Sequence, residues 1–125
     1  MHAADLPDNE SQRLAALHVL HVLDTADDEG FARLTQLACE LFDVPTSLVS
    51  LVDRDRQWFK ARQGFDACET NREVSFCAHA VAADAPLVVE DTHEDKRFFD
   101  NPLVTGAPHI RFYAGHPLRP TQGMV

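Results

Sequence analysis

The sequence predicts an α+β domain in which helices cover an antiparallel sheet. Three features support this fold class. Apolar residues recur at helical spacing through the first third of the chain, two strand-like runs flank a polar turn at residues 53–56, and short helical segments lie between the later strands. A helical start followed by antiparallel strands with short helices inserted between them is typical of α+β architecture.

Two helices are predicted before the first strand. Residues 1–8 are polar and are expected to form a flexible N-terminus, as chain ends usually do. Asn9 is predicted to cap a helix that runs to about Val22, because a glutamine three residues on completes a capping box. Thr25 is predicted to cap a second helix that ends near Phe42. That helix carries an apolar stripe predicted to pack on the domain: Phe31, Leu34, Leu37, Ala38 and Leu41.

Two strands follow, joined by the turn at residues 53–56. Residues 46–52 carry apolar side chains on both faces, which predicts an interior position in a sheet. Residues 57–63 are predicted to return antiparallel, and their Lys60 and Arg62 are typical of an edge strand that is protected against mispairing.

Short helices and strands are predicted in the rest of the chain. Ser75 can cap a helix that runs to about Ala83, and residues 87–89 form a short strand. Residues 110–118 are predicted to form the last strand, because Ile, Phe and Ala alternate there with Arg, Tyr and Gly. A turn at residues 119–123 follows, and the sequence ends on the first step of a returning strand.

Composition limits the possible functions. The 125 residues fit one domain, and the formal net charge is −9, from 20 acidic and 11 basic residues. This charge argues against nucleic acid and anionic membranes as partners, since both attract clustered lysine and arginine. The absence of a long apolar run and of a signal peptide predicts a cytoplasmic protein. Three irregularly spaced cysteines favour reduced thiols over a disulfide framework.

Cys77 is the first candidate for chemistry. It falls in the first turn of a predicted helix, where the helix dipole can stabilise a thiolate, and His79 is close in sequence. Residues two apart on a helix point in different directions, however, and neither an oxyanion site nor a third orienting group is visible. The sequence therefore favours a packed thiol and leaves a catalytic or redox role as the alternative.

Metal and nucleotide sites have little support in the sequence. His18 and His21 have a spacing that can hold a metal on a helix, but no further ligand motif accompanies them. The acidic residues between positions 90 and 95 lack the pattern of a calcium loop, and glycine-rich phosphate loops are absent. The sequence therefore assigns no metal ligand and no catalytic residue.

The segment of residues 65–108, called the roof segment below, favours a binding function. Its loops and short helices carry apolar residues beside a few polar ones: Phe76, Phe98, Phe99 and Leu103, with Arg97 and Asn101. Such a segment can cover one face of a sheet and enclose a mostly apolar pocket. The alternative is that its side chains fill this space completely, since protein interiors are close-packed by default.

Three stretches together resemble a GAF domain of the bacterial sensory type. Residues 48–60 contain Leu-Val-Ser-Leu-Val-Asp and Asp-Arg-Gln-Trp-Phe-Lys, residues 74–80 read Val-Ser-Phe-Cys-Ala-His-Ala, and residues 98–115 include Ile-Arg-Phe-Tyr-Ala-Gly. The leading helix of residues 9–25 resembles the start of the same modules. The similarity covers nearly the whole chain from Glu10 and is characteristic of the subgroup that precedes histidine kinase or diguanylate cyclase domains.

The resemblance implies a cytosolic sensory module that binds a small molecule or relays a signal to such an output enzyme, and that dimerises through helices. It identifies neither a ligand nor a cofactor. The family's pocket lies between the sheet and its roof. By position, this implies seven lining residues: Phe76, Cys77, His79, Arg97, Phe98, Phe112 and Tyr113.

The resemblance also implies that the domain, residues 9–125, is incomplete. In GAF domains a further strand runs between the first strand and the strand at residues 110–118, and a terminal helix follows it. Both are missing from this sequence. We therefore expect a truncated domain that forms a homodimer, either through its N-terminal helix or by strand complementation at an open sheet edge.

The sequence thus leaves three functions open. The first is a sensory module without catalysis of its own, which regulates an attached enzyme. The second is a thiol-based redox sensor or small reductase that uses Cys77. The third is a dimerisation module whose pocket is filled by its own side chains.

Overall fold

The computed structural model describes residues 1–119 and confirms the α+β class. The helices are α1 (Glu10–Val19), α2 (Glu29–Phe42), α3 (Phe76–Ala83) and α4 (Pro102–Thr105), and 3-10 turns span Arg72–Val74 and Thr92–Glu94. The strands are β1 (Ser47–Val52), β2 (Arg56–Gln63), β3 (Glu69–Asn71), β4 (Leu87–Val89) and β5 (Tyr113–Gly115). They form a sheet of order β1-β2-β3 and a β4-β5 pair. None of the helices in this range is both long and apolar enough to cross a membrane.

Both initial helices are shorter than predicted. α1 ends at Val19, because the backbone turns left-handed at His21, where φ is 52°. Asn9 precedes α1 without a side-chain capping bond, so the predicted capping box is wrong. α2 begins after Asp28, whose carboxylate accepts two hydrogen bonds from first-turn amides, at 2.9 and 3.2 Å. The predicted cap, Thr25, lies three residues too early.

The apolar stripe predicted for α2 does not pack on the sheet as a whole. Leu34, Leu37 and Leu41 are 58%, 56% and 70% exposed. α2 packs on β1 and β2 through the side that carries Thr35, which is 2% exposed. The Thr35 hydroxyl donates to the carbonyl of Ala32 at 2.9 Å, so this polar side chain is buried with its hydrogen bond made. The side of α2 that carries Leu34, Leu37 and Leu41 therefore points away from the sheet.

β2 lies in the middle of the three-stranded sheet. It pairs antiparallel with β1, with an irregularity between Val49 and Ser50, and its first half pairs antiparallel with β3. The predicted edge position is therefore wrong for that half, because β3 is a polar strand without the alternation that reveals a strand in sequence. Lys60 and Arg62 lie beyond the residues paired with β3. Within residues 1–119, β1 pairs with β2 alone, so its predicted interior position is not reached there.

The last strand is also shorter than predicted. β5 occupies only the middle of the range 110–118 and pairs antiparallel with β4. Before β5, the carbonyl of Ile110 accepts a hydrogen bond from the Thr92 hydroxyl at 2.7 Å, so this backbone bonds to a turn rather than to a strand. After β5, Pro117 has no amide hydrogen to donate to a ladder. Apart from its first residue, the turn predicted at residues 119–123 lies outside the described residues, as does the returning strand.

Residues 1–8 form no helix or strand, and their first part lies against the roof segment. The amide of His2 donates to the carbonyl of Arg97 at 3.1 Å. The carbonyl of His2 lies 3.0 Å from Nε2 of His79, within hydrogen-bond distance. The N-terminal residues therefore contact two of the residues that the resemblance assigns to the pocket.

Candidate functional site

Ser75 positions the start of α3 over the sheet. Its hydroxyl accepts a hydrogen bond from the amide of Ala78 at 3.0 Å, which confirms the predicted cap, and it donates to Oε1 of Gln57 on β2 at 2.7 Å. Ser75 and Gln57 are both buried. One hydroxyl therefore begins the helix and binds it to the sheet, which fixes the direction in which the first turn presents Phe76 and Cys77.

Four side chains, Phe76, His79, Phe98 and Tyr113, form what we call the aromatic cluster. The rings of Phe76 and Phe98 stack with centroids 4.1 Å apart and planes 8° apart. Tyr113 lies 5.1 Å from Phe76, and the imidazole of His79 meets Phe98 edge-on at 4.8 Å. Phe98 is fully buried, and the guanidinium of Arg97 lies 5.1 Å from its ring centroid, within range of a cation–π contact. The side chains of the cluster pack against one another and fill the space between them.

The structure brings together six of the seven residues predicted to line a pocket: Phe76, Cys77, His79, Arg97, Phe98 and Tyr113. It does not bring Phe112 to this place, since that side chain is 55% exposed. Successive residues along extended backbone point to opposite faces. Because Tyr113 turns inward, Phe112 turns outward, and the prediction for Phe112 is corrected.

Cys77 belongs to a short chain of polar groups beside the aromatic cluster. The hydroxyl of Tyr113 donates to Sγ of Cys77 at 3.1 Å, and the thiol donates to Oγ of Ser50 on β1 at 3.5 Å. Burial raises the pKa of the Cys77 thiol and also that of the Tyr113 hydroxyl. Both groups are therefore neutral at pH 7, which opposes thiolate chemistry. Sequence reasoning missed Ser50, although a serine inside an apolar strand is a recognisable signal.

The two polar residues predicted to serve binding already have partners. Arg97 donates to both carboxylate oxygens of Asp95, at 3.0 and 2.8 Å, and this hydrogen bonding holds the pKa of Asp95 below its ordinary value. Asn101 caps α4 through Oδ1 and donates from Nδ2 to the carbonyl of Val74 at 3.2 Å. Arg97 and Asn101 thus hold the roof segment in shape.

Burial lowers the pKa of His79, so its imidazole is neutral at pH 7.

Two surface cavities lie beneath the N-terminal residues and outside the stacked pair of Phe76 and Phe98. One, of about 350 Å³, is lined by Ala3, Ala4 and Leu6, by the β1–β2 turn and by residues 71–73. The other, of about 370 Å³, lies between residues 5–8 and α3, with His79 and Arg97 in its wall. In contrast, the space between α3, residues 98–104 and the β4–β5 pair is occupied by packed side chains.

The histidine pair suggested as a metal site makes other contacts. Nε2 of His18 lies 3.0 Å from Oδ1 of Asp53, and His21 lies past the end of α1. Within residues 1–119, no group of three or more His, Cys, Asp or Glu side chains is arranged to hold an ion. His18 instead joins α1 to the β1–β2 turn.

Two comparisons with known proteins agree with this architecture. A family model described as a GAF domain matches residues 28–125. A cyclic di-GMP phosphodiesterase of Pseudomonas aeruginosa is 42% identical over 118 residues, which cover 94% of this chain and 20% of the relative. The chain therefore spans about a fifth of the length of that relative.

Proposed function

The chain belongs to the GAF domain family, and from this we propose that it is a sensory module that controls an output enzyme. Its role is to bind a small molecule, or to relay a signal, and so to change the activity of a catalytic domain in the same polypeptide. The similarity to a cyclic di-GMP phosphodiesterase supports cyclic di-GMP turnover as the output, with a histidine kinase as the alternative.

The observation that carries this proposal is the chain of polar groups beside the aromatic cluster. Tyr113, Cys77 and Ser50 bond to one another where β5, α3 and β1 meet. A mostly apolar space with a few convergent polar groups is typical of small-molecule sites. We propose a small, largely apolar ligand with one hydrogen-bond donor and one acceptor. When the roof segment moves outward, this ligand replaces part of the hydrogen bonding among Tyr113, Cys77 and Ser50.

A module whose pocket stays filled is the second candidate, and the tight stacking of Phe76 on Phe98 favours it. Such a module relays a signal through its shape and its dimer contacts alone. A thiol enzyme is less well supported, because burial holds the Cys77 thiol protonated. We therefore assign the chemistry to the attached enzyme.

We further propose that the module works in the cytoplasm as a homodimer. Val19 and Leu20, at the end of α1, are 72% and 44% exposed, and a partner helix would remove them from water. Within residues 1–119, the edge of β1 away from β2 makes no strand pair, which supports strand complementation as the other route. The charge of −9 opposes nucleic acid and anionic membranes as partners.

Native mass spectrometry of the chain purified from cells tests the ligand. The wild-type chain should retain a small molecule, and Tyr113→Phe, which removes one hydroxyl, should bind it about tenfold more weakly. Phe112→Leu alters the exposed neighbouring side chain and should retain the molecule as the wild type does. A wild-type mass without any bound molecule, together with an NMR spectrum that cell extract leaves unchanged, would favour the filled module instead.

A further inference from the structure

Glu10, Arg13 and Arg72 form a charged group that we call the arginine–glutamate cluster. Arg72 donates to both carboxylate oxygens of Glu10, at 3.1 and 3.0 Å, in a bidentate fork. Arg13 donates to the same carboxylate from Nε at 3.2 Å and from Nη2. Arg13 is 3% exposed and Arg72 9%, a degree of burial that arginine rarely reaches unless its charge is paired.

Both arginines also bind backbone carbonyls where β1 ends and the β1–β2 turn begins. Nη1 of Arg13 donates to the carbonyl of Val52 at 2.7 Å, and Nη1 of Arg72 donates to the carbonyl of Asp53 at 3.0 Å. The cluster therefore joins three elements: the first residue of α1, the end of β1, and the 3-10 turn that leads into α3.

The position of Arg72 ties the cluster to the roof segment. Arg72 begins the 3-10 turn that immediately precedes Ser75, the cap of α3, and the amide of Ser75 donates to the carbonyl of Arg72 at 3.0 Å. An outward movement of α3 must carry this turn with it. The turn can move only if the fork to Glu10 breaks or if Glu10, and α1 with it, follows.

We propose that the arginine–glutamate cluster transmits movement of the roof segment to α1. Two cations share one carboxylate at a nearly buried place, so breaking either half leaves a poorly solvated charge without its partner. Such a cluster favours two discrete arrangements over gradual deformation, as a switching element requires. The inference rests on the proposed sensory function for the cause of the movement, but the coupling is a property of the chain without ligand.

Hydrogen exchange of the ligand-free chain, read by mass spectrometry, tests the coupling. Glu10→Gln removes the shared charge and should speed amide exchange about tenfold in both α1 and residues 72–83, with α2 unchanged. Glu29→Gln is the matched control, because Glu29 is the first residue of α2 and makes an exposed pair with Arg33. It should leave α1 and residues 72–83 at wild-type rates.

A second perturbation, applied from the roof segment, separates transmission from simple support. Ser75→Ala removes the cap of α3 and its bond to Gln57, and should speed exchange in α1 about threefold or more in the wild-type background. In the Glu10→Gln background the same change should leave α1 exchange unaltered. The proposal would be overturned if the two substitutions changed the amide exchange rate of α1 by factors that simply multiply. It would also be overturned if Ser75→Ala left the exchange rate of α1 unchanged.

Arg72→Lys covers the case in which Glu10→Gln fails to fold. Lysine keeps the charge but cannot form the bidentate fork, so it should loosen α1 and residues 72–83 together by a smaller factor. Exchange that rises equally in every peptide would show that the cluster supplies only general stability, and would overturn the proposal. None of these measurements uses a ligand, so failure to find one leaves their outcome unchanged.

Discussion

Replacing Phe98 by alanine is expected to destabilise the domain strongly. Phe98 is fully buried, and its ring contacts Phe76 and His79. Burying such a ring removes about 150–250 Å² from water, which is worth about 4–6 kcal/mol at about 25 cal/mol per Å². An alanine side chain keeps only a small part of this burial free energy. The stacking of Phe98 on Phe76 adds about 0.5–1.5 kcal/mol to the free energy that is lost. We expect a loss of about 4 kcal/mol in the free energy of unfolding, within the usual range of about 3–5 kcal/mol.

Urea unfolding followed by the fluorescence of Trp58 measures this loss, because the chain has one tryptophan and it is buried. With a slope of about 2 kcal/mol per molar urea, a loss of about 4 kcal/mol lowers the midpoint by about 2 M. Phe99→Ala is the matched control. It removes the same ring from the next position, where 52% of the side chain is exposed, and should cost less than about 1 kcal/mol.

Similar midpoints for the two alanine variants would refute the packing argument, because the same atoms are removed in both and only their burial differs. If Phe98→Ala is unfolded before urea is added while Phe99→Ala keeps the wild-type midpoint, the expected difference still holds. Phe98→Leu then gives a measurable intermediate, since leucine refills part of the space beside Phe76.

Three further outcomes are expected. Iodoacetamide should modify the exposed Cys68 quickly and Cys77 slowly in the native chain, as peptide mass spectrometry of digests would show, because burial raises the pKa of the Cys77 thiol. Gly64→Ala should cost about 1–3 kcal/mol in the urea assay, because φ is 71° there and a Cβ would collide with the backbone oxygen of Pro45. The folded-state pKa of Asp95 is below the ordinary 3.8. The ionised carboxylate of Asp95 therefore contributes to the free energy of unfolding above pH 3.8, and this contribution is lost as the pH falls through the folded-state pKa. Asp95→Asn should therefore flatten the stability profile below pH 3.8, measured by urea unfolding at each pH.

Sequence signals predicted two features that depend on neighbouring residues. The β1–β2 hairpin follows from two strand-like runs around a polar turn, and the cap at Ser75 follows from its place before an apolar helix; both are confirmed. α4 was missed although Asn101 followed by proline is a recognisable helix start. Each of these features is decided within a few residues, which explains why the sequence carries the information.

The features that the sequence did not predict depend on distant partners. Glu10 and Arg72 are 62 residues apart, and no spacing rule connects them. An apolar stripe identifies α2 as a helix but does not state which side meets the sheet, and the buried side carries Thr35. Whether Phe112 or Tyr113 faces inward depends on a strand register of one residue, which pairing with β4 decides.

The place of Glu10 at the start of α1 links that helix to the roof segment. A helix of ten residues is too short to be stable alone in water, and Asn9 gives it no side-chain cap. The negative charge of Glu10 is favourable at a helix N-terminus, but Arg13 lies on the same helix and cannot anchor α1 to another element through that carboxylate. Arg72 supplies the ion pair that joins Glu10 to the roof segment. If Arg72 withdraws, α1 keeps its local pair and loses this connection, so the order of the first helix should follow the position of α3.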